Sequence, residues 1–331
     1  MAENSTTLAL STACHVVDHS QSGERFWIVL VFGCLLAIIS IVQNLSLLIL
    51  FVSDKTRRNS SWLHFMFLAL CDVVVGVCFL LNIWTKALYE HIESAALKNL
   101  WLTWNLSAMT VTGIAISMGC LLILCAAFKK FLEYSNSQFS SVIKKQRKCV
   151  VLACFFIAAI SYGSLPFEMQ AGSNPHCSGA INEFYMFMSE FGHSTTRSYI
   201  VIYRTILNFA VPLTAVAFSV LVVVSKPKAS DSRNVKESNR KITIQSMTIF
   251  LIAITSLLAP TFDSIIRLWE IIDGHGVHSN YKYFYVLAVR TISLLPVVAG
   301  VLRAPIYYLC ERPIKNSSKR DIPAARNLIE T

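Results

Sequence analysis

The sequence predicts an all-α fold, a seven-transmembrane helix bundle whose N-terminus lies outside the membrane and whose C-terminus lies inside. Three observations support this prediction: long apolar runs, few charged residues, and an uneven distribution of Lys and Arg among the connecting segments. An α-helix rises about 1.5 Å per residue, so about 20 residues cross the ~30 Å hydrocarbon core of a bilayer. Seven apolar runs approach or exceed this length, at about 26–52, 62–84, 99–128, 150–166, 199–224, 242–268 and 284–309.

The composition excludes a soluble globular protein. Apolar residues make up 54% of the chain and charged residues 15%, with a mean hydropathy of +0.55, whereas soluble domains carry about 25% charged residues. Lipid offers backbone N–H and C=O groups no partner, so the runs must be helical, because membrane strands would alternate and close into a barrel. We expect an extracellular tail at 1–25, one membrane domain at 26–309 and a cytoplasmic tail at 310–331.

The positive charge follows a membrane topology. A formal net charge of +10 would be compatible with a nucleic-acid partner. Of the 29 Lys and Arg residues, however, five lie in the segments predicted to be outside, whereas 20 lie in the connecting segments 53–61, 129–149, 225–241 and 310–331. Cytoplasmic segments carry an excess of Lys and Arg, so these four are predicted to be cytoplasmic. Membrane lipid, and no nucleic acid, is the partner expected for this charge.

Two features are predicted for the outer face. The sequon that begins at Asn4 lies in the extracellular tail, where it can be glycosylated. Cys14 in the tail and Cys177 in the long connection 167–198 both face an oxidising compartment. They can form a disulfide or remain separate thiols.

The chain is not expected to be an enzyme. The His residues are scattered along the sequence, and no set of His, Cys and carboxylate residues has the spacing of a metal site or a catalytic triad. We therefore expect no metal and no cofactor.

Several motifs resemble the rhodopsin-like (class A) family of G-protein-coupled receptors. In the first run, "VQNLSLLILF" is similar to the family's Gly-Asn-x-x-Val region, with Asn44 as the polar residue. In the second run, "KTRRNSSWLHFMFLALCDVVVG" is similar to its basic loop followed by Leu-Ala-x-x-Asp, which identifies Asp72 as the family's acid. Pro212, Pro260 and Tyr307 stand where the family has its fifth-helix and sixth-helix prolines and its terminal Tyr. The resemblance implies helix kinks at the prolines and a buried polar core.

The sequence departs from this family at its switch motifs. In place of Asp/Glu-Arg-Tyr the third run ends in Lys129, Lys130 and Phe131, where we expect no acid to hold the central cation. By resemblance these three residues form the face that contacts the G protein. In place of Asn-Pro-x-x-Tyr the seventh run reads "RAPIY", which begins at Arg303 and contains Pro305 one position late. These departures place coupling by the usual switches in question.

Arg303 can supply the positive charge that a bound sodium ion supplies in the family. By resemblance, the family's second-helix Asp shares a sodium ion with a seventh-helix Asn, and that Asn position is Arg303 here. Arg303 has no acid within one turn, so its partner must come from another helix. We expect an ion pair with Asp72, and the alternative is that Arg303 extends towards the cytoplasm.

Residue types restrict the ligand. The seventh run contains no Lys for a retinal Schiff base, and residues 100–128 contain no acid for an amine. Peptides and small chemosensory molecules remain. Polar groups in the outer parts of the runs are the candidate pocket residues: Thr112, Arg204, Asn208, Asp263, Arg267 and Arg290.

Two of these assignments have alternatives. Asp263 and Arg267 lie four residues apart and can instead form an internal ion pair. Arg204 and Arg290 have no acid at helical spacing, so they can meet a ligand anion or extend to the membrane interface.

We expect a plasma-membrane, multi-pass receptor that binds an extracellular ligand, preferentially a neuropeptide, and activates a heterotrimeric G protein. A narrower resemblance, carried by Tyr199, Tyr203, Pro212 and the stretch "SLPFEMQ", is to nematode neuropeptide receptors of the FMRFamide type. A chemosensory receptor for a small organic ligand is the alternative. Alternatives of another class are a seven-helix scaffold that does not couple, and a channel or transporter.

Overall fold

The seven predicted membrane helices are present. The computed structural model describes residues 26–53, 63–135, 137–138, 142, 145–177, 183–224, 233–272 and 281–326. In the described chain, seven helices are long and apolar enough to cross a membrane, which indicates a multi-pass membrane protein. We refer to them as the first to seventh spans: Leu30–Ser53, Leu63–Ile92, Ala95–Tyr134, Arg147–Glu168, Thr195–Val224, Thr243–Ile266 and Leu287–Tyr308.

Several helices extend beyond the predicted runs. The helix of the sixth span starts within the loop predicted at 225–241, and that of the seventh continues through most of the tail predicted at 310–331. The helical segments, including two π-helical stretches at Phe26–Gly33 and Leu80–Trp84, are Cys34–Ser53, Leu63–Phe79, Thr85–Ile92, Ala95–Tyr134, Arg147–Tyr162, Leu165–Glu168, Thr195–Val224, Arg233–Ile272 and Lys282–Arg326.

The third span is the centre of the bundle. It packs against the second, fourth, fifth and sixth spans, while the first and seventh spans pack together and close the ring. In the most apolar 18-residue window of the third span, 61% is buried, whereas 22% of the corresponding window of the fourth span is buried. Leu122 of the third span is buried, as are Ile249 and Ile252 of the sixth, and together they form part of an apolar layer across the bundle.

The structure contains a β-hairpin in addition to the helices, which differs from the all-α prediction. Strand β1 (Met169–Ser173) pairs antiparallel with β2 (Phe184–Met188), in a register that sets Met169 opposite Met188. The hairpin folds back on the fourth span, because the amide of Ser189 donates to the carbonyl of Glu168 at 3.1 Å. We call this the hairpin end of the bundle. The opposite end, which carries Lys129 and Lys130, is the basic end.

Cys177 follows β1 in a short turn, Pro175–Cys177, and is disulfide-bonded. Its predicted mate, Cys14, lies outside the described residues, as does the predicted glycosylation site Asn4.

Two indole groups stabilise the π-helical stretch of the second span. An i→i+5 pattern removes carbonyls from their α-helical partners. Trp104 of the third span donates to the carbonyl of Leu81 at 2.7 Å, and Trp101 donates to both oxygens of Asn82 at 3.0 Å. The side of the second span that carries Asn82 is thereby fixed next to the third span.

The three predicted kink prolines lie inside continuous helices. Pro212 is in the fifth span, Pro260 in the sixth and Pro305 in the seventh. Their effect on helix direction stays a prediction.

Candidate functional site

A cavity of about 620 Å³ occupies the half of the bundle nearer the hairpin end. Its lining on the third span runs from Met109 to Cys120, which corresponds to ~16 Å of helix. The volume lies within the ~300–1,000 Å³ usual for small-molecule sites. Most of the walls are apolar, and they include Val75, Phe79, Ile83, Ile116 and Val297.

An ion pair forms the floor of this cavity. Arg303 donates to the Asp72 carboxylate through one terminal nitrogen and to the Ser256 hydroxyl at 2.7 Å through the other. Asp72 is 4% exposed, and the second Asp72 oxygen and the Arg303 Nε have no hydrogen-bond partner. The predicted pair is therefore in contact, and Arg303 does not extend towards the basic end. The contact joins the second, sixth and seventh spans.

The other two residues of the predicted polar core lie behind and below this floor. Asn44 is buried and donates to the carbonyl of Ser40 at 2.9 Å and to that of Gly300 at 3.1 Å, which ties the first span to the seventh. Tyr307 is also buried, with its ring 5.2 Å from that of Phe51. Neither residue lines the cavity.

A second ion pair lines the cavity at the hairpin end, and it corrects the expectation for Arg204. Glu168, at the end of the fourth span, accepts from Arg204 at 2.6 and 3.3 Å. Arg204 also donates to the Ser161 carbonyl and the Ser164 hydroxyl, and stacks on the Tyr162 ring at 4.9 Å. Arg204 is therefore already paired with an acid of the protein, and it does not extend to the membrane interface.

Sequence reasoning also missed Arg197 as a residue of this site. It belongs to the first turn of the fifth span, lines the cavity and lies 3.6 Å from Glu168. From the sequence it is one more basic residue of an outer connection. The signal that could have identified it is Ser194, an N-cap residue type three residues earlier, whose hydroxyl accepts from the Arg197 amide.

The middle of the cavity carries neutral polar groups. Asn208 accepts from Ser117 at 2.8 Å and donates to the Tyr162 hydroxyl at 2.8 Å. Thr112 lines the cavity, and its hydroxyl is bonded to the Ala108 carbonyl of its own helix. Both predicted pocket residues are thus at the site, and Asn208 is held by two helices.

Three predicted pocket residues remain to be placed. Asp263 lines the cavity from the sixth span. The side chains of Arg267 and Arg290 lie outside the described part of the structure, so the predicted pair between Asp263 and Arg267 stays a prediction.

The basic end differs from the prediction in two respects. Lys129 is 3% exposed and Lys130 is 7% exposed, so neither is available to a partner in this conformation. Lys130 pairs with Glu133 at 2.6 Å, and the expectation that no acid holds the central cation is therefore wrong. Phe131 packs on Phe218, with ring centres 5.2 Å apart. A void of about 10 Å³ lies beside the two lysines.

Among the described residues, no cluster of three or more His, Cys, Asp or Glu side chains is arranged to hold a metal ion. The described lining of the cavity offers apolar contact, hydrogen bonds from fixed amides and hydroxyls, and charge at both ends. The sequence matches no protein-family model and no curated protein sequence.

Proposed function

We propose that this protein is a seven-helix G-protein-coupled receptor of the plasma membrane that binds an extracellular ligand in the cavity and activates a heterotrimeric G protein. The observation that carries the proposal is the cavity itself, which is walled by five spans around the central third span and has a charged floor. In the proposed topology the hairpin end is extracellular, and the ligand is a neuropeptide that inserts its terminal residues.

The closed basic end supports a receptor over a channel. Below the floor, the apolar layer of Leu122, Ile249 and Ile252 encloses a void of only about 10 Å³. An ion would have to cross this layer through a space too small for a continuous file of water, with His64 as the polar residue of the described lining, and such a crossing is costly. A receptor needs no continuous path, because a ligand can act by shifting the population of conformations at the far end.

A second candidate function is a chemosensory receptor for a small organic ligand. It is favoured by the volume of about 620 Å³ and the apolar walls, since a cavity of this size accommodates a whole small molecule but only the end of a peptide. Both candidates use the same cavity and the same signalling step.

Nucleotide exchange on a purified G protein tests the proposal. Pools of peptides and of small organic molecules are screened with the purified protein in lipid nanodiscs, and GTP uptake by several G-protein classes is measured. Ala259→Phe places a ring in the cavity and should abolish the response, whereas Ala153→Phe, on an exposed face of the fourth span, should retain it.

The alternatives give different results in the same preparation. A ligand that binds without stimulating any G protein would identify a scaffold that does not couple. Ligand-gated current in patches that lack G protein would identify a channel. A response that survives Ala259→Phe would contradict the assignment of the cavity as the ligand site.

A further inference from the structure

Arg197 carries a positive charge that the described structure neutralises only in part. The nearest carboxylate, Glu168, already accepts two hydrogen bonds from Arg204 and one from Ser164 at 3.0 Å. Arg197 approaches the same carboxylate only to 3.6 Å, and its Nε is buried without a hydrogen-bond partner. At this point of the cavity two guanidinium groups therefore share one carboxylate.

The two arginines differ in their freedom to bind a ligand. Arg204 uses both of its terminal nitrogens and its Nε in hydrogen bonds to the fourth span, and one face of the guanidinium lies on Tyr162. Arg197 is 33% exposed and lines the cavity. In the described chain, its one acidic contact is Glu168. Its donors are therefore the ones that an incoming group can reach.

The N-terminus of the helix adds to the positive electrostatic potential around Arg197. Arg197 lies in the first turn of a helix of 30 residues, and the amides of that turn add positive potential. Asp263 also lines the cavity, but from the sixth span and without an ion pair to Arg197 among the described contacts. An anion beside Arg197 would receive charge-assisted hydrogen bonds, and a fork-shaped guanidinium fits a carboxylate with two of them.

We propose that the ligand is an amphipathic carboxylate whose anionic group binds Arg197 at the hairpin end while its apolar body fills the cavity. The proposal rests on the proposed function for the identity of the cavity as the ligand site. The apolar body would contact the side chains of Met109, Ile116 and Val297, above the Asp72–Arg303 floor. The carboxylate can belong to a free organic acid or to the C-terminus of a peptide.

Direct binding to the purified protein in nanodiscs tests this proposal without a G protein. Linear and aromatic monocarboxylic acids of four to twelve carbons are compared with their primary amides, which match them in shape but carry no charge. Apolar tetrapeptides with a free or an amidated C-terminus form the second arm. Affinities are measured by calorimetry and by the shift of the melting temperature.

At least one acid should bind tenfold or more tightly than its amide, because only the acid forms charge-assisted hydrogen bonds with Arg197. Arg197→Gln should abolish this preference, and Arg197→Lys should retain part of it. Lys86→Gln, which removes an outer positive charge that stacks on Trp101 away from the cavity, should leave it unchanged. The arm in which the preference appears identifies the source of the carboxylate.

The proposal is overturned if no acid or free peptide outbinds its amide, or if the preference persists in Arg197→Gln. Because binding is measured alone, failure of G-protein activation does not affect this result. Conversely, nucleotide exchange driven by an uncharged ligand would support the receptor function and refute the anionic ligand.

Discussion

The ion pair between Asp72 and Arg303 should be required for stability, and the two charges should not contribute equally. Asp72→Asn leaves a buried guanidinium without its carboxylate, so that its hydrogen-bond partners are the neutral Ser256 hydroxyl and the neutral amide oxygen at 72. Arg cannot lose its proton, so the charge stays in the core. Arg303→Gln instead leaves a carboxylate that can take up a proton and become neutral. We expect Asp72→Asn to be the more damaging change.

The magnitude follows from the burial of the pair. Both side chains are nearly enclosed, with 4% exposure for Asp72 and 12% for Arg303. Removal of one member of such a pair costs about 3–5 kcal/mol, because the other charge is left buried and unpaired. The double variant with Asn at 72 and Gln at 303 contains neither charge, so it should be more stable than the Asp72→Asn single variant. The coupling energy must then exceed the cost of Arg303→Gln alone, which is about 3 kcal/mol or more.

Equilibrium unfolding of the four proteins in mixed micelles measures this cycle. A charge-reversed pair should recover part of the loss, and Na⁺ should leave ligand affinity unchanged because Arg303 occupies the floor. Glu190→Gln, on the exposed surface of the hairpin end, is the matched control and should not change stability. Strictly additive single effects, or clear sodium dependence in the wild type, would refute the reasoning.

Three further predictions concern topology, helix packing and signalling. Asn4→Gln should remove a glycosidase-sensitive mass shift, while protease applied outside intact cells should not cleave 225–241; such cleavage would contradict the proposed orientation. Gly113→Ala should destabilise the protein by about 1–3 kcal/mol in the same unfolding assay, because its methyl group would collide with the half-buried ring of Tyr162 in the fourth span. Replacement of both Lys129 and Lys130 by Gln should lower the rate of nucleotide exchange at equal surface expression. An unchanged rate would show that the two lysines take no part in the proposed coupling to the G protein.

The spans and the floor of the cavity could be predicted because lipid leaves few alternatives. A run of 20 apolar residues has one regular structure in a bilayer, so the helices follow from length and composition alone. Asp72 and Arg303 were both isolated charges in such runs, and each needed a partner from another helix. The resemblance to rhodopsin-like receptors implied that these two positions face each other, and this selected the pair.

The hairpin end could not be predicted in the same way. Glu168 and Arg204 lie 36 residues apart on two helices, and no spacing rule brings such residues together. The rotation of each helix about its axis decides the contact, and rotation is set by packing. Glu133 differs, because its three-residue spacing from Lys130 is a sequence signal that the interpretation overlooked.

The two ion pairs together define what a ligand would have to do. Arg204 and Glu168 join the fifth span to the fourth, whereas Arg303 joins the seventh to the second and sixth. A ligand bound between them would contact both groups of helices, and it can change their relative position only if it binds one arrangement more tightly. The buried lysines at the basic end are on the third span, which packs against both groups. Under the proposed function, exposure of Lys129 and Lys130 would accompany that change, and accessibility of Cys substituted at these positions would report it.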